Sequence, residues 1–365
     1  MSDAFDCKQD IWKYLTTAQK PVVLYGTGNG ADKILDHLLS LGISVSGVFA
    51  SSGFVRNRHF RGFKVESYED LHKRLGDMIV LLCFGTSLPD VIANIDRIAE
   101  ECEVYAPDVP VYGETVFDSA FAEENREKLQ AVRDMLSDET SRDTFNRVVS
   151  YKLTGNYVLL RPCERPLEEI TSLFSLPEQS SYIDLGAYDG DTVSLYTGLF
   201  PQITSVLAVE PDARNFRKLS GNLEALDRDS LQIECVRALV SDHDGTAFVP
   251  KNRGRGVHEL SDTKVNHDNE VQGESLTVAS LVTLLRGRKA DLIKLDVEGN
   301  ERAVIEGGRS CIEKDKPSLI VSCYHRSEDL FTLPLLLKEI VPEYKVYMRH
   351  HPHLLCWDTE FLFTL

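Results

Sequence analysis

Short apolar runs alternate with amphipathic stretches twice along the chain, and that double alternation predicts two α/β units. The first begins with Pro21–Gly26 (PVVLYG), which reads as a buried parallel strand. The helical spacing of Ile34, Leu35, Leu38 and Leu39 follows within Ala31–Leu41. Further strands are expected at Ser44–Ala50, Met78–Phe84 and Glu103–Ala106, with helices at Tyr68–Leu75 and Pro89–Glu101. Between Phe117 and Gly155 the apolar residues fall at helical intervals within a charged stretch, which reads as one or two connecting helices. A second alternation starts at Ser181 (SYIDLG). It continues through Thr204–Val209, Leu231–Val236, Ala290–Asp296, Pro317–Cys323 and two runs near Tyr344 and Leu362. Strand alternating with helix implies parallel sheets. The expected organisation is a smaller domain over residues 1–115, a helical connector over 116–165 and a larger domain over 166–365. The polar, glycine-containing stretch Lys251–Gly273 reads as a mobile loop.

Composition narrows the function classes. A length of 365 residues suits two ordinary cores, and a formal net charge of -17 opposes non-specific binding to nucleic acid or to an anionic membrane surface. A small-molecule partner is therefore expected rather than a polyanion. No apolar run approaches the ~20 residues of a membrane-spanning helix, and the opening MSDAFDCKQD is acidic and unlike a signal peptide. The expected compartment is the cytoplasm, and the oligomeric state is left open, a homo-oligomer included. The eight cysteines are scattered without the short spacing of a zinc knuckle or redox pair, so buried reduced thiols are expected.

The strongest chemical feature is YIDLGAYDGDT, where a strand ends at Asp184–Gly186 and a helix starts near Asp191 or Thr192. Glycines at such a junction let a ligand approach the backbone. A dinucleotide would bring a pyrophosphate here, but Asp184, Asp189 and Asp191 would repel it. S-adenosylmethionine carries a sulfonium and an ammonium, has no phosphate, and offers a ribose diol to a carboxylate. The expected cofactor cradle is therefore Asp184, Gly186, Ala187, Tyr188, Asp189 and Gly190. Glu210, at the tip of the next strand (VLAVEPD), sits about where a ribose-binding acid is expected, roughly 20 residues on. In ALVSDHDG, Asp242 is a candidate acceptor for the adenine amino group, with ordinary turn chemistry as the alternative.

These blocks resemble the FkbM family of methyltransferases: YIDLGAYDGDT, AVEPDARNFRKLSGN, LIKLDVEGNERAVIEGG and SCYHRSEDL follow its pattern in order over about Ser180–His351, with Asn222 and Lys294 also matching. The resemblance implies a class I methyltransferase fold, a Rossmann-like sheet with helices on both faces. It also implies methyl transfer to an oxygen, typically a hydroxyl of a sugar or another small metabolite.

LIKLDVEG places Lys294, Asp296 and Glu298 at alternate positions, hence on one face of a strand. The plain alternative is that the two acids only cap the following helix. Methyl transfer to a hydroxyl needs a group to take the proton, and Asp296 or His325 is the candidate, the latter lying just beyond the strand Leu319–Cys323. His325 has its own plain alternative, a histidine satisfied by a local hydrogen bond. A divalent cation held by Asp296, Glu298 and His325 is a further option but not the favoured one.

In the front domain, GTGNGA (Gly26–Ala31) has no acid within it, so a phosphate suits its helix start. The next strand runs into ASSGF instead of the acid that would hold an NAD ribose. Through VVLYGTGNGADKILDHLLSLG and VSGVFASS this half resembles the N-terminal Rossmann-like domains of sugar-modifying enzymes such as PglD-like acetyltransferases. A structural or partner-contact role is slightly preferred over nucleotide-sugar binding. The function expected for the whole is an S-adenosylmethionine-dependent O-methyltransferase. The alternative is a nucleotide-sugar binding or scaffolding protein with a non-catalytic methyltransferase-like domain. An NAD-dependent oxidoreductase is disfavoured by the missing acid.

Overall fold

The computed structural model describes residues 9–51, 58–226, 231–250 and 273–365. Of the expected loop Lys251–Gly273, only Gly273 lies among them, and Ser52–Phe54 of ASSGF and Cys7 also lie outside. The chain divides into two compact units, Met1–Pro166 with Met348–Thr359, and Leu167–Tyr347 with Glu360–Leu365.

The first unit holds α1 (Ile11–Thr17), β1 (Val22–Tyr25), α2 (Asn29–Ser40), β2 (Val45–Phe49), β3 (His59–Phe60), β4 (Phe63–Glu66), α3 (Tyr68–Leu75), β5 (Ile79–Leu82), α4 (Pro89–Glu101) and β6 (Glu103–Tyr105). The sheet order is β3-β4-β2-β1-β5-β6, parallel except for the β3–β4 hairpin. All four residues of β1 and of β5 are buried, as expected for parallel strands covered on both faces, and the apolar stripe Ala31, Ile34, Leu35 and Leu38 of α2 packs on them.

The charged stretch that follows forms three helices, α5 (Ser119–Glu124), α6 (Arg126–Met135) and α7 (Glu139–Thr154), where one or two were expected. Asp118 and Asp138 cap α5 and α7 by accepting backbone N–H bonds from Phe121 and Ser141. Asn125 ends α5 and begins α6 with neither glycine nor proline to signal the break.

The second unit holds β7 (Ser180–Leu185), α8 (Asp191–Leu199), β8 (Ile203–Val209), α9 (Ala213–Glu224), β9 (Gln232–Val236), β10 (Leu239–Ser241), β11 (Gly245–Pro250), β12 (Gly273–Ser280), α10 (Leu281–Leu285), β13 (Leu292–Leu295), α11 (Glu301–Gly307), α12 (Arg309–Asp315), β14 (Ser318–Ser322), α13 (Asp329–Ile340), the first half of β15 (Lys345–His350) and all but the first residue of β16 (Thr359–Thr364). Its main sheet has the order β15-β16-β14-β13-β7-β8-β9, with β16 antiparallel to β14. A separate three-stranded sheet, β10-β12-β11, was not anticipated from the sequence. The order reverses between β7 and β13, and open parallel sheets bind ligands outside the carboxyl ends of the strands at such a reversal. Among the described residues no helix is long and apolar enough to cross a membrane, and five of the seven described cysteines are buried free thiols.

Candidate functional site

At the carboxyl end of β7 the chain turns sharply. Gly186 and Gly190 have φ of +87 and +90°, and Tyr188 between them is left-handed at +47°. A Cβ on Gly186 would overlap the carbonyl oxygen of Asp296, so only glycine lets the β7 turn meet the end of β13. The N–H groups of Gly186 and Ala187 both donate to the Val209 carbonyl, each at 2.9 Å, tying the turn to β8. Ala187 is buried, whereas the Tyr188 ring is half exposed with the Lys218 ammonium 5.5 Å above it. The Asp189 carbonyl accepts a 2.8 Å bond from the Asn222 amide.

The two leading acids play different parts. Asp184 is fully buried and accepts from the Thr192 hydroxyl at 2.6 Å, fastening the start of α8. Burial raises its pKa, against the opposing pull of Lys294. Glu210 accepts from the backbone N–H of Tyr188 at 3.0 Å with one oxygen and from that of Asp212 at 2.8 Å with the other. It thereby joins the β7 turn to the start of α9. Burial pushes its pKa up to about 7, despite those two bonds. Asp242 follows β10, where its side chain is exposed and pairs with His243 Nδ1 at 2.7 Å, which lowers its pKa.

The second cluster gathers at the ends of β13 and β14. Lys294 is buried and donates to Asp296 Oδ2 at 3.0 Å. Burial alone would lower its pKa, but Asp296, Asp184 and Glu360 hold it above the ordinary value. Asp296 also accepts from the Tyr324 hydroxyl at 3.2 Å, and His325 Nε2 lies 3.3 Å from its Oδ1. Burial would raise the Asp296 pKa; Lys294 and His325 outweigh it and keep the carboxyl below its usual range. Glu298, left-handed at φ +55°, faces the same His325 nitrogen at 3.7 Å. His325 is 1% exposed, and although burial disfavours its charge, Glu301, Asp296 and Glu298 push its pKa up to about 9. The four residues Lys294, Asp296, Glu298 and His325 expected to act together are therefore adjacent.

Glu301, the first residue of α11, was not singled out from the sequence. It is 0% exposed, lies 2.9 Å from His325 Nδ1 and accepts from the backbone N–H groups of Val297 and Gly299. An acid in the first turn of a helix reads as ordinary capping, and its only distinguishing sign is the spacing to Asp296. One donor atom each from Asp296, Glu301 and His325 falls within 4.8 Å of the others, a spacing compatible with a shared cation.

The sheet reverses its strand order beside an acid-bearing glycine turn, with the buried carboxylate of Glu210 at the end of the neighbouring strand. Residues 184–351 match the family model described as Methyltransferase FkbM domain, and the protein is an S-adenosylmethionine-dependent methyltransferase. The crystal structure of Methyltransferase FkbM from Methylobacillus flagellatus KT is similar in fold: it is 19% identical, and the match covers 94% of this chain and 90% of that one with a TM-score of 0.70. Two other solved structures share less. Precorrin-6y C5,15-methyltransferase from Geobacter metallireducens GS-15 is 10% identical over 54% of this chain and 85% of its own, with a TM-score of 0.32. Fibrillarin from Aeropyrum pernix, in complex with natively bound S-adenosyl-L-methionine, is 14% identical over 54% and 72%, with a TM-score of 0.30. No curated protein matches the sequence.

Proposed function

We propose that this methyltransferase transfers the methyl group to a hydroxyl of a sugar or related small metabolite, with Asp296 accepting the hydroxyl proton. The observation that carries this reading is the pairing at the end of β13: a carboxylate held ionised by Lys294 and His325 yet partly open to solvent, beside a glycine turn that can admit a ligand.

The residues fit the cofactor on three counts. The turn from Gly186 to Gly190 is left-handed at both glycines, and Ala187 beside the first is buried. Glu210 is a buried carboxylate whose oxygens retain capacity for a ribose diol. Asp189 and Asp191 oppose a phosphate and suit a cation, whereas the buried Asp184 fastens the start of α8. Asp242 is proposed for the adenine amino group. The chemistry S-adenosylmethionine supplies when bound is an electrophilic methyl group on a sulfonium sulfur that departs as a neutral thioether. As the new bond to carbon forms, the acceptor oxygen becomes strongly acidic, so a carboxylate of low basicity suffices to receive its proton. Asp296 suits that task better than His325, whose raised pKa leaves it protonated near neutral pH and whose ring is enclosed. Lys294 and His325 keep Asp296 charged and fixed, and Glu298 lies beside it with its side chain partly open to solvent.

The reading is tested by incubating the protein with S-adenosylmethionine and a panel of free and nucleotide-linked sugars and measuring S-adenosylhomocysteine release. Release that rises with a sugar, and falls about 10²- to 10⁴-fold in Asp296→Asn, supports it. Release only with an amine or thiol acceptor overturns the acceptor class, and an Asp296→Asn variant of unchanged rate overturns the proton acceptor.

For the front unit we propose a structural or partner-contact role. Phe84 packs where a side chain on Gly26 would lie, and the stacked His353 and Trp357 rings sit over Gly85. These rings pack against the two glycines that follow β1 and β5.

A further inference from the structure

The acids at the end of β13 and the start of α11 approach one imidazole from both sides. Glu301 and His325 are 0% and 1% exposed, so both are shut off from solvent. Asp296 is the open member, its side chain 26% exposed, and gives the cluster its access. Glu301 Oε1 lies 2.9 Å from His325 Nδ1, and Asp296 Oδ1 lies 3.3 Å from Nε2. The first approach is an ion-pair distance without a hydrogen bond, because Nδ1 has no hydrogen-bond partner among the described residues. Glu301 Oε2 has none either, while Oε1 of the same carboxylate accepts from the backbone N–H groups of Val297 and Gly299 at 2.9 and 3.3 Å.

Two buried ligand-type atoms in one cluster thus lack a partner. Buried polar atoms are otherwise bonded, and buried charges are paired or coordinate metals. Lys294 is the nearest fixed cation, but it donates to Asp296 Oδ2. Oδ1, the oxygen that faces His325, accepts from the neutral Tyr324 hydroxyl and keeps a lone pair for a further partner. One donor atom each from Asp296, Glu301 and His325 falls within 4.8 Å of the others. Ligands about 2.1 Å from an ion stand about 3.0 Å apart at right angles and about 4.2 Å apart when opposite, so a small contraction closes the set. The two backbone N–H groups anchor the Glu301 carboxylate in advance, as outer partners do for metal ligands.

We propose that Asp296, Glu301 and His325 hold one divalent transition cation, of the Mn²⁺ or Zn²⁺ kind. Two carboxylates balance its charge, and the imidazole nitrogen disfavours Mg²⁺ and Ca²⁺, which prefer oxygen ligands throughout. Binding exchanges the proton on His325 for the ion, as ligation by histidine requires. Glu298, the acid expected from the sequence beside Asp296 and His325, gives way to Glu301. An ion there lies beside the proton acceptor proposed above and would make an acceptor hydroxyl easier to deprotonate. That use rests on the proposed function; the binding does not.

The test needs neither S-adenosylmethionine nor sugar. The full chain is stripped with EDTA, dialysed and titrated with MnCl₂, with free Mn²⁺ followed by electron paramagnetic resonance. One saturable ion per chain is expected, displaced by Zn²⁺ but not by an equal concentration of Mg²⁺. Glu301→Gln, Asp296→Asn and His325→Asn should each weaken it by more than the roughly 10- to 100-fold that loss of an outer partner costs a metal site. Asp134→Asn, at an exposed acid of α6, controls for weak binding to the acidic surface and should leave it intact. No saturable Mn²⁺ binding by wild type, or equal binding in all three variants, overturns the proposal. Loss in Glu298→Gln with none in Glu301→Gln overturns the ligand set. Should the variants of the buried Glu301 and His325 lose native circular dichroism, Asp296→Asn decides, together with the rise in wild-type melting temperature that a bound ion must produce. Mn²⁺ binding by a protein that methylates no sugar keeps the site and sinks only the function proposed above.

Discussion

Glu210 carries the proposed ribose contact and an unusual titration together. Its folded-state pKa, about 7, stands above the ordinary 4.5 because of burial. A raised carboxyl binds its proton more tightly in the folded state, so its contribution to stability is present below pH 4.5 and is lost as the pH rises through about 7. A ribose diol prefers the ionised form, so affinity should move the other way. S-adenosylhomocysteine affinity is expected to tighten between pH about 6 and about 8, approaching tenfold per unit below the pKa, and Glu210→Gln should abolish the dependence. Calorimetric titration at several pH values checks this; an equal pH dependence in Glu210→Gln would remove Glu210 from the ribose.

Thr192 tests the other acid. Its hydroxyl is bonded to the fully buried Asp184, so Thr192→Val leaves that carboxyl one partner short and should lower stability by about 1–3 kcal/mol in urea unfolding, with Thr192→Ser close to wild type. At this scale the acids of YIDLGAYDGDT and LIKLDVEG were legible because ionisable groups on apolar strands are conspicuous. Glu301 was not, since its distinction is a three-dimensional contact with a histidine that follows it by a whole helix-and-strand excursion.

Among the elements, the β7 turn is the most constrained. Gly186→Ala would force a Cβ against the Asp296 carbonyl at a left-handed position, and the strain of that backbone alone is of order 1–2 kcal/mol. Thermal melting should shift down and S-adenosylhomocysteine binding should be lost, whereas Gly198→Ala, whose added Cβ meets nothing within 4 Å, should be benign. A tolerated Gly186→Ala would mean that the turn and β13 can part without consequence. The buried strands were readable because β1 and β5 are continuous apolar runs, as two-sided burial requires, while β13 is interrupted only by Lys294 and β14 is apolar between Ser318 and Ser322. The three-stranded sheet was not. β10 has only three residues, and β11 and β12 are separated by a long polar stretch that outweighs the alternation of their side chains. The split of the 117–155 stretch into three helices depended on Asn125, a residue equally at home inside a loop or at a cap.

At the scale of the molecule, sequence alternation located two α/β units but could not show that Met348–Thr359, between two late strands, clusters with the first unit. There Leu354 donates its N–H to the Thr86 carbonyl at 2.9 Å, Arg349 pairs with Asp138 at 2.7 Å, and Leu354, Leu355 and Cys356 are buried. A fragment of residues 167–365 would leave that segment without its partners. It should therefore express as aggregating protein or show a much lower melting temperature than the full chain. A soluble fragment with an unchanged melting temperature would show that the segment needs no such packing.

The proposed cofactor site is the acid-bearing turn after β7 together with Glu210. It is tested by calorimetric titration of the full chain with S-adenosylmethionine, S-adenosylhomocysteine, NAD and a UDP-sugar, each alone. One-to-one binding of the first two, abolished in Gly186→Ala, is expected; no binding of either, with NAD bound instead, would overturn the site.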